Sequence, residues 1–281
     1  MELLHMDDKR IRALLPVRKR DTHKGDYGKI LLLCGSRGFT GAAALASMGA
    51  LRTGAGLVYL GVPESIYAIE AVKLTEPVVL PLADEKGMLS EEAIPAIREL
   101  LPKMDAVLFG CGSGLGKGPL KVLELLVQEF QKPLILDADG ITLLSQNIDI
   151  LRGRTGPVIL TPHDGEFQRL KPIDGDRLHQ TMELANRLGA VILRKGHRTL
   201  ITDGERCYEN ATGNPGMAVG GSGDVLAGII LSLLGQGLSP LEAAACGAFL
   251  HGKAGDLCAE ELGEYGMLPT DLISKLPRLL K

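Results

Sequence analysis

Asp224 follows a run of small residues, Gly220-Gly221-Ser222-Gly223, and precedes an almost wholly apolar stretch from Val225 to Leu234. That order puts a carboxylate in the first turn of a buried helix with a glycine-rich opening. The first N–H groups of a helix have no partner within it, and the helix dipole adds positive potential there. Glycine lets a ligand come close to such backbone, so a phosphate would bind well, and a carboxylate beside it could act as a base. The competing reading of the same residues is an Asp224 N-cap after a plain tight turn. A helix end would also lower the pKa of a carboxyl held there. The base would then be weak, leaving much of the rate to an anion hole and a metal.

Other polar, glycine-containing segments follow short apolar runs: CGSRGFTGAA from Cys34, CGSGLGKG from Cys111, DADG from Asp137, TPHDGE from Thr161 and RKGHRT from Arg194. The runs themselves, Lys29–Leu33, Leu57–Val62, Pro77–Leu82, Asp105–Gly110, Pro133–Leu136, Val158–Leu160 and Ala190–Arg194, read as buried strands. Leu200–Thr202 and Arg206–Glu209 flank Asp203-Gly204, a hairpin signal. Helical patterns alternate with these strands, among them GAAALASMGALRTGAG, about 120–130, about 176–188, a helix opened by the capping residues Ser239-Pro240-Leu241-Glu242, and a last one from about Pro269. Such alternation predicts a three-layer αβα fold, with helices on both faces of a mostly parallel central sheet. In that architecture ligands bind beyond the carboxyl ends of the strands, where these polar segments fall.

Familiar fingerprints do not fit. Gly112-Ser113-Gly114-Leu115-Gly116 lacks the last glycine of G-x-G-x-x-G, and Lys117 precedes Gly118 where a P-loop has Ser or Thr. His163 and Glu166 lie three residues apart and could face one ligand, with Glu166 near Mg²⁺, directly or through water; His163 and Asp164 as a helix cap is the alternative. Lys195 and Thr199 suit phosphate or ribose. His5, His179 and His251 read as structural.

The chain has 281 residues, which suits one large α/β domain or, as the alternative, two small ones, and its formal net charge of -3 implies no strong field for nucleic acid or membrane. With no Trp and five each of Phe and Tyr, base stacking on an aromatic platform is not expected. Five Cys, an odd number without C-x-x-C spacing, point to reduced thiols in the cytoplasm, with Cys34 and Cys111 as small buried residues at strand ends. The first residues are charged too early for a signal peptide, and no apolar run reaches about 18 residues. Residues 1–20 read as a solvated N-terminal arm, with a short helix ended by Pro16 and a basic patch, Arg18-Lys19-Arg20; residues 21–281 read as one domain.

Taken together, HKGDYGKILLLCGSRGFTGAAALASMGALRTGAGLV, LTPHDGEF, LRKGHRT and NPGMAVGGSGDVLAGII resemble the NAD(P)H-hydrate dehydratases, a branch of the ribokinase-like superfamily. The resemblance runs from about residue 20 to the end. It implies a hydro-lyase that repairs hydrated nicotinamide cofactor, converting the S epimer of NADHX or NADPHX back to NADH or NADPH. An adenine nucleotide, ADP more than ATP, would be the phosphoryl donor, with Mg²⁺. Carried over by motif, Asp224 is the base; Gly221, Ser222 and Gly223 form the anion hole; Ala42, Gly114, His163 and Asp224 contact the hydrate; Lys195, Gly196, His197, Arg198, Thr199 and Gly223 hold the nucleotide; Glu166 is the metal candidate. The family also implies a homo-oligomer, with a homotetramer expected. Many bacterial relatives carry an epimerase domain ahead of this one; about 20 residues precede the first motif here, so a separate epimerase is expected. The sequence departs from the family at Val219 and Ser222, where Thr is common, and in CGSGLG, where GPGLG is usual. Two rivals remain: a ribokinase-like kinase of a small vitamin-precursor alcohol, and a non-catalytic nucleotide-binding module.

Overall fold

The computed structural model describes residues 3–281. Its strands are β1 (Lys29–Leu33), β2 (Leu57–Pro63), β3 (Val78–Leu82), β4 (Asp84–Glu85), β5 (Met88–Leu89), β6 (Ala106–Phe109), β7 (Leu134–Leu136), β8 (Val158–Leu160), β9 (Val191–Arg194), β10 (Thr199–Thr202) and β11 (Cys207–Asn210). The helices are α1 (Asp8–Leu14), α2 (Thr40–Arg52), α3 (Glu64–Lys73), α4 (Ile94–Leu100), α5 (Lys117–Glu129), α6 (Asp139–Leu144), α7 (Asp164–Arg169), α8 (Arg177–Leu188), α9 (Ser222–Gly235), α10 (Pro240–Leu262) and α11 (Pro269–Leu279).

Nine strands form one sheet in the order β11-β10-β9-β8-β7-β6-β1-β2-β3, parallel except where β10 runs against β9 and β11. Side chains alternate across it, as the two-residue period of a strand requires. Ile30 and Leu32 join the layer built on α2, α9, α10 and α11, while Leu31 and Leu33 join the layer built on α4, α5 and α8. The three-layer, mostly parallel expectation holds. From β1 the chain winds outward to β3, then returns to place β6 on the other side of β1. The loops leaving β1 and β6 therefore diverge, opening a crevice at the carboxyl edge where such folds bind ligands.

Helix α9 is buried along nearly all its length because Val225 to Leu234 offers no polar face. It packs against α2 at backbone distance. A β-carbon at Gly228 would run into the Ala46 carbonyl, and one at Gly49 would lie 2.7 Å from the Val225 carbonyl oxygen. This close approach fixes where the first turn of α9 emerges beneath the crevice.

Several local expectations change. Asp224 is not the N-cap: Gly221 holds that place in a left-handed conformation (φ 97°), and Asp224 is the third residue of the helix. Ser239 Oγ donates to Glu242 Oε2 at 2.6 Å, so this pair bonds side chain to side chain instead of closing a full capping box. The strand expected from Pro77 starts at Val78; its Pro81 is tolerated because β3 is an edge strand. Helix α3 and the β4–β5 hairpin lacked a clear period and were missed. The N-terminal segment is a solvated arm only in part: Arg18, Lys19 and Arg20 are exposed, but the residues before them dock. Leu4 pairs with Tyr208 on the outer side of β11, Ile11 is buried in the core, and Arg10 lies over the Tyr208 ring. An amphipathic turn with two buried apolar anchors, Met6 and Ile11, was enough to dock it.

Gly228→Ala should destabilise the protein by about 1–3 kcal/mol, since α9 cannot retreat from α2 without disturbing both layers. Gly266→Ala, where a β-carbon meets nothing within 4 Å, is the control. Urea unfolding of the two variants checks this; equal midpoints would show that the α2–α9 approach is not tight.

Candidate active site

The segments flagged after β1, β6, β7, β8 and β9 all leave the same edge of the sheet, and the first turn of α9 lies against them. A ligand atom from each of Asp224, Cys111 and Asp137 falls within one 4.8 Å cluster. Burial and the charge of Asp137 raise the Asp224 pKa to about 6, although the Cys111 thiol and Lys195 pull it down and Asp139 adds to the rise. The expected weak base is therefore corrected. The helix end does lower the cost of a negative charge, but loss of water and neighbouring carboxylates outweigh it. A base titrating near 6 is well matched to proton abstraction at neutral pH.

Asp137 is buried and closely held: its Oδ1 accepts from Thr161 Oγ1 at 2.6 Å and from Lys195 Nζ at 2.8 Å. Lys195 also lies 3.8 Å from Glu166 Oε2. Burial works against its charge, but Asp137 and Glu166 prevail and its pKa is raised, so the ammonium persists. Nζ stands 3.4 Å from where a β-carbon of Gly223 would be, beside the opening of α9. Neither the Gly223 nor the Asp224 N–H has an acceptor among the described residues, whereas the Ser222 N–H turns back to the Val219 carbonyl at 3.3 Å. Free helix N–H groups plus a fixed ammonium make an anion site.

Beside it opens a cavity of about 1050 Å³, lined by His163, Lys195 to Thr199, Asn210 to Pro215, Gly223 and His251, among others. The loop after β9 owes its shape to Arg177 at the start of α8, whose guanidinium donates to the carbonyls of Arg194, Lys195, His197 and Arg198. Arg198 itself pairs with Glu209 at 3.1 Å, and Thr199 Oγ1 bonds the Gly196 carbonyl. His163 and Glu166 form a reciprocal capping box at α7, each side chain accepting the other's N–H. Ser222 Oγ lies 3.2 Å from His251 Nε2, and burial lowers the His251 pKa to about 4, so that imidazole is neutral.

Most of the sequence-derived residues thus fall into two groups that meet at α9; Gly221, the N-cap, and Glu166, in the α7 capping box, belong to neither, and the Ser222 N–H, bonded to Val219, is not free for the anion hole expected of Gly221 to Gly223. His163, Lys195 to Thr199, Ser222 and Gly223 line the cavity. Ala42 and Gly114 lie outside its lining, in the crevice between β1 and β6. There the Gly114 N–H donates to Asp139 Oδ2 at 2.8 Å, and Ala42 Cβ would be 3.1 Å from a β-carbon at Gly112. Asp224 sits between the groups. Asp137, Thr161 and Arg177 had no role assigned from sequence, and His251 was read as structural. The DADG segment did signal a polar strand end; nothing local marked the Arg177 clamp.

The family profile described as NAD(P)H-hydrate dehydratase matches residues 30–278. The chain belongs to this family. It is 33% identical over 271 residues to the ADP-dependent (S)-NAD(P)H-hydrate dehydratase of Listeria monocytogenes, covering 96% of this chain and 93% of that one. It is 43% identical over 278 residues to a bifunctional NAD(P)H-hydrate repair enzyme of Moorella thermoacetica, covering 96% of this chain and 52% of that enzyme. The chain thus spans about half the length of the bifunctional relatives it matches. Among solved structures, the Bacillus subtilis ADP/ATP-dependent NAD(P)H-hydrate dehydratase, co-crystallised with ATP/Mg²⁺, superposes with a TM-score of 0.85 at 30% identity, covering 99% of this chain and 98% of that one. The fold is ribokinase-like.

The raised Asp224 pKa has a cost. The folded carboxyl binds its proton more tightly than the ordinary value of 3.8, so its contribution to stability is full below that value and is lost as pH rises through about 6. Asp224→Asn should therefore gain stability over the parent at about pH 7.5 and not at about pH 4. Urea melts at the two pH values test this; an equal difference at both would mean that Asp224 ionises as freely as in the unfolded chain.

Proposed function

We propose that this chain dehydrates the S epimer of NADHX and NADPHX at the expense of an adenine nucleotide, with ADP the donor, releasing AMP and phosphate. The observation that carries the residue roles is the placement of Asp224: a carboxyl titrating near 6 at a helix N-terminus, beside Lys195, at the junction of crevice and cavity.

Hydroxide is a poor leaving group and phosphate a good one. In this reading the hydrated ring lies in the β1–β6 crevice by Ala42 and Gly114, and the nucleotide occupies the cavity with its phosphates toward Lys195 and Gly223. Asp224 takes the ring hydroxyl's proton as that oxygen attacks the terminal phosphorus, and the bond to the departing nucleotide breaks. The Gly223 and Asp224 N–H groups and the Lys195 ammonium meet the charge that spreads over the phosphoryl oxygens. The ring nitrogen's lone pair then expels phosphate, and loss of the adjacent ring proton restores the dihydropyridine.

Mg²⁺ belongs to the proposal as a partner of the nucleotide phosphates, whose charge it would screen. The Cys111–Asp137–Asp224 cluster is a poor cage for it: a protonated thiol has no place in an all-oxygen shell, and Lys195 already holds Asp137. Glu166 fits better as an outer partner through water, since among the described residues its Oε1 meets His163 Nε2 alone, at 3.3 Å. An epimerase feeding the S epimer, a cytoplasmic location and a homo-oligomeric assembly complete the proposal. No described helix is long and apolar enough to cross a membrane.

Incubation with S-NADHX, Mg²⁺ and either ADP or ATP should restore NADH absorbance, faster with ADP. Phosphorylation of a small alcohol without regained absorbance would favour the kinase reading instead. The rate should rise with pH through about 6 and then level, as a base that must be ionised requires. Asp224→Asn should lose nearly all turnover, about a thousandfold or more, while nucleotide affinity by calorimetry stays within a few-fold. A wild-type rate in that variant would remove Asp224 from the reaction.

A further inference from the structure

The glycines that let a phosphate approach α9 also make its first turn the least ordered part of that helix. Gly220, Gly221 and Gly223 surround Ser222, and glycine gives up more backbone freedom on folding than any other residue. Helix ends lack partners on one side and open most readily. The tight approach to α2 acts at Gly228, more than a turn farther along. The outermost backbone bonds of the turn, from the Ser222 N–H to the Val219 carbonyl and from the Val225 N–H to that of Gly221, are each 3.3 Å long. Donors that must meet a developing charge need a firmer hold than this.

One side chain supplies it. Ser222 Oγ shares a hydrogen bond with His251 Nε2 at 3.2 Å, between two buried residues. Among the described residues no other side chain bonds residues 220–223. His251 lies in α10, on a face with Ala248, Gly252, Gly255 and Asp256, which follow one another at helical spacing. That face also seats the cavity wall. The Ala248 carbonyl accepts from Asn210 Nδ2 at 3.2 Å, and Asp256 accepts from the Gly213 N–H at 3.1 Å and from Asn214 Nδ2 at 3.2 Å. A β-carbon at Gly252 would run into Thr212, and one at Gly255 into Met217. The segment from Asn210 to Met217 and the entrance of α9 are thus fastened to one rigid surface. Burial lowers the His251 pKa to about 4, so the tie joins two neutral groups at neutral pH.

We propose that His251 is a positioning residue for the anion site: through Ser222 it stiffens the glycine-rich first turn of α9 and fastens it to the helix that carries the cavity wall, so that the Gly223 and Asp224 N–H groups are held ready for phosphate. The inference rests on that turn being the anion site of the proposed function. A histidine that only fills space between α9 and α10 would be replaceable by another ring of similar size.

His251→Phe, which fills the space without a polar partner, and His251→Gln, whose amide reaches the place of Nε2, separate these roles in the full chain. In the dehydration assay kcat should fall about tenfold or more in His251→Phe while the nucleotide KM stays within about threefold, and His251→Gln should recover most of the loss. A second readout needs no turnover. In the ligand-free protein, NMR amide exchange at Ser222 and Val225 should quicken about five- to tenfold in His251→Phe, by a similar factor in Ser222→Ala, and no further in the double variant. Exchange in the first turn unmoved by His251→Phe overturns the proposal, whatever the substrate is. Quickened exchange with kcat unchanged overturns it too, because the order of the turn would then have no bearing on the reaction. A fall in melting temperature with neither change assigns His251 to packing. Quickened exchange in a protein that never dehydrates the hydrate sustains the hold of His251 on the turn and removes the dehydratase reading. Should His251→Phe fail to fold, Ser222→Ala, which removes the other partner, carries the same test.

Discussion

Helix α9 is enclosed along its length, yet its first turn has to face a ligand. The contact that reconciles these demands is the backbone approach to α2, where Gly228 admits the Ala46 carbonyl and Gly49 admits that of Val225. Neither helix can slide or roll without a clash. The N-terminus of α9 is thereby held against the strand ends, and Asp224, Gly223 and the free N–H groups inherit that position. Preorganised dipoles of this kind cost little reorientation when charge develops, which is where an enzyme of this type has most to gain.

Around that helix end the charges form an ordered chain. Lys195 neutralises Asp137 and approaches Glu166, Asp137 is capped by Thr161 and Cys111, and Asp139 holds the Gly114 backbone. The ammonium is thus shared between a structural partner and the space where a phosphate would lie. Its burial makes both attractions stronger than they would be in water. The same low polarity raises the proton affinity of Asp224, so the device that fixes the cation also prepares the base.

Much of this was legible in the sequence. The apolar runs marked seven parallel strands because a sheet covered on both faces leaves them no polar side, and the polar segments after them marked the binding edge. Gly220 to Asp224 announced a helix entrance through composition alone. What escaped depended on residues remote in the chain. The proton affinity of Asp224 is set by burial, Asp137 and Cys111, none of which its neighbours in sequence reveal. Arg177 shapes the loop after β9 from the start of a helix whose pattern is that of an ordinary surface element. The N-terminal segment looked solvated because its charges outnumber its anchors; buried Met6 and Ile11 and one backbone pairing at Leu4 dock its first part.

That pairing has a consequence for assembly. A sheet ordinarily offers unpaired hydrogen-bonding groups at both margins, where a strand from another molecule can add on. Here Leu4 satisfies β11 on one margin, exchanging bonds with Cys207 and Glu209, and Pro81 removes a donor from β3 on the other. Continuous strand-to-strand growth is thus blocked at each side. Both margins are therefore poor places for a strand of another copy to add on.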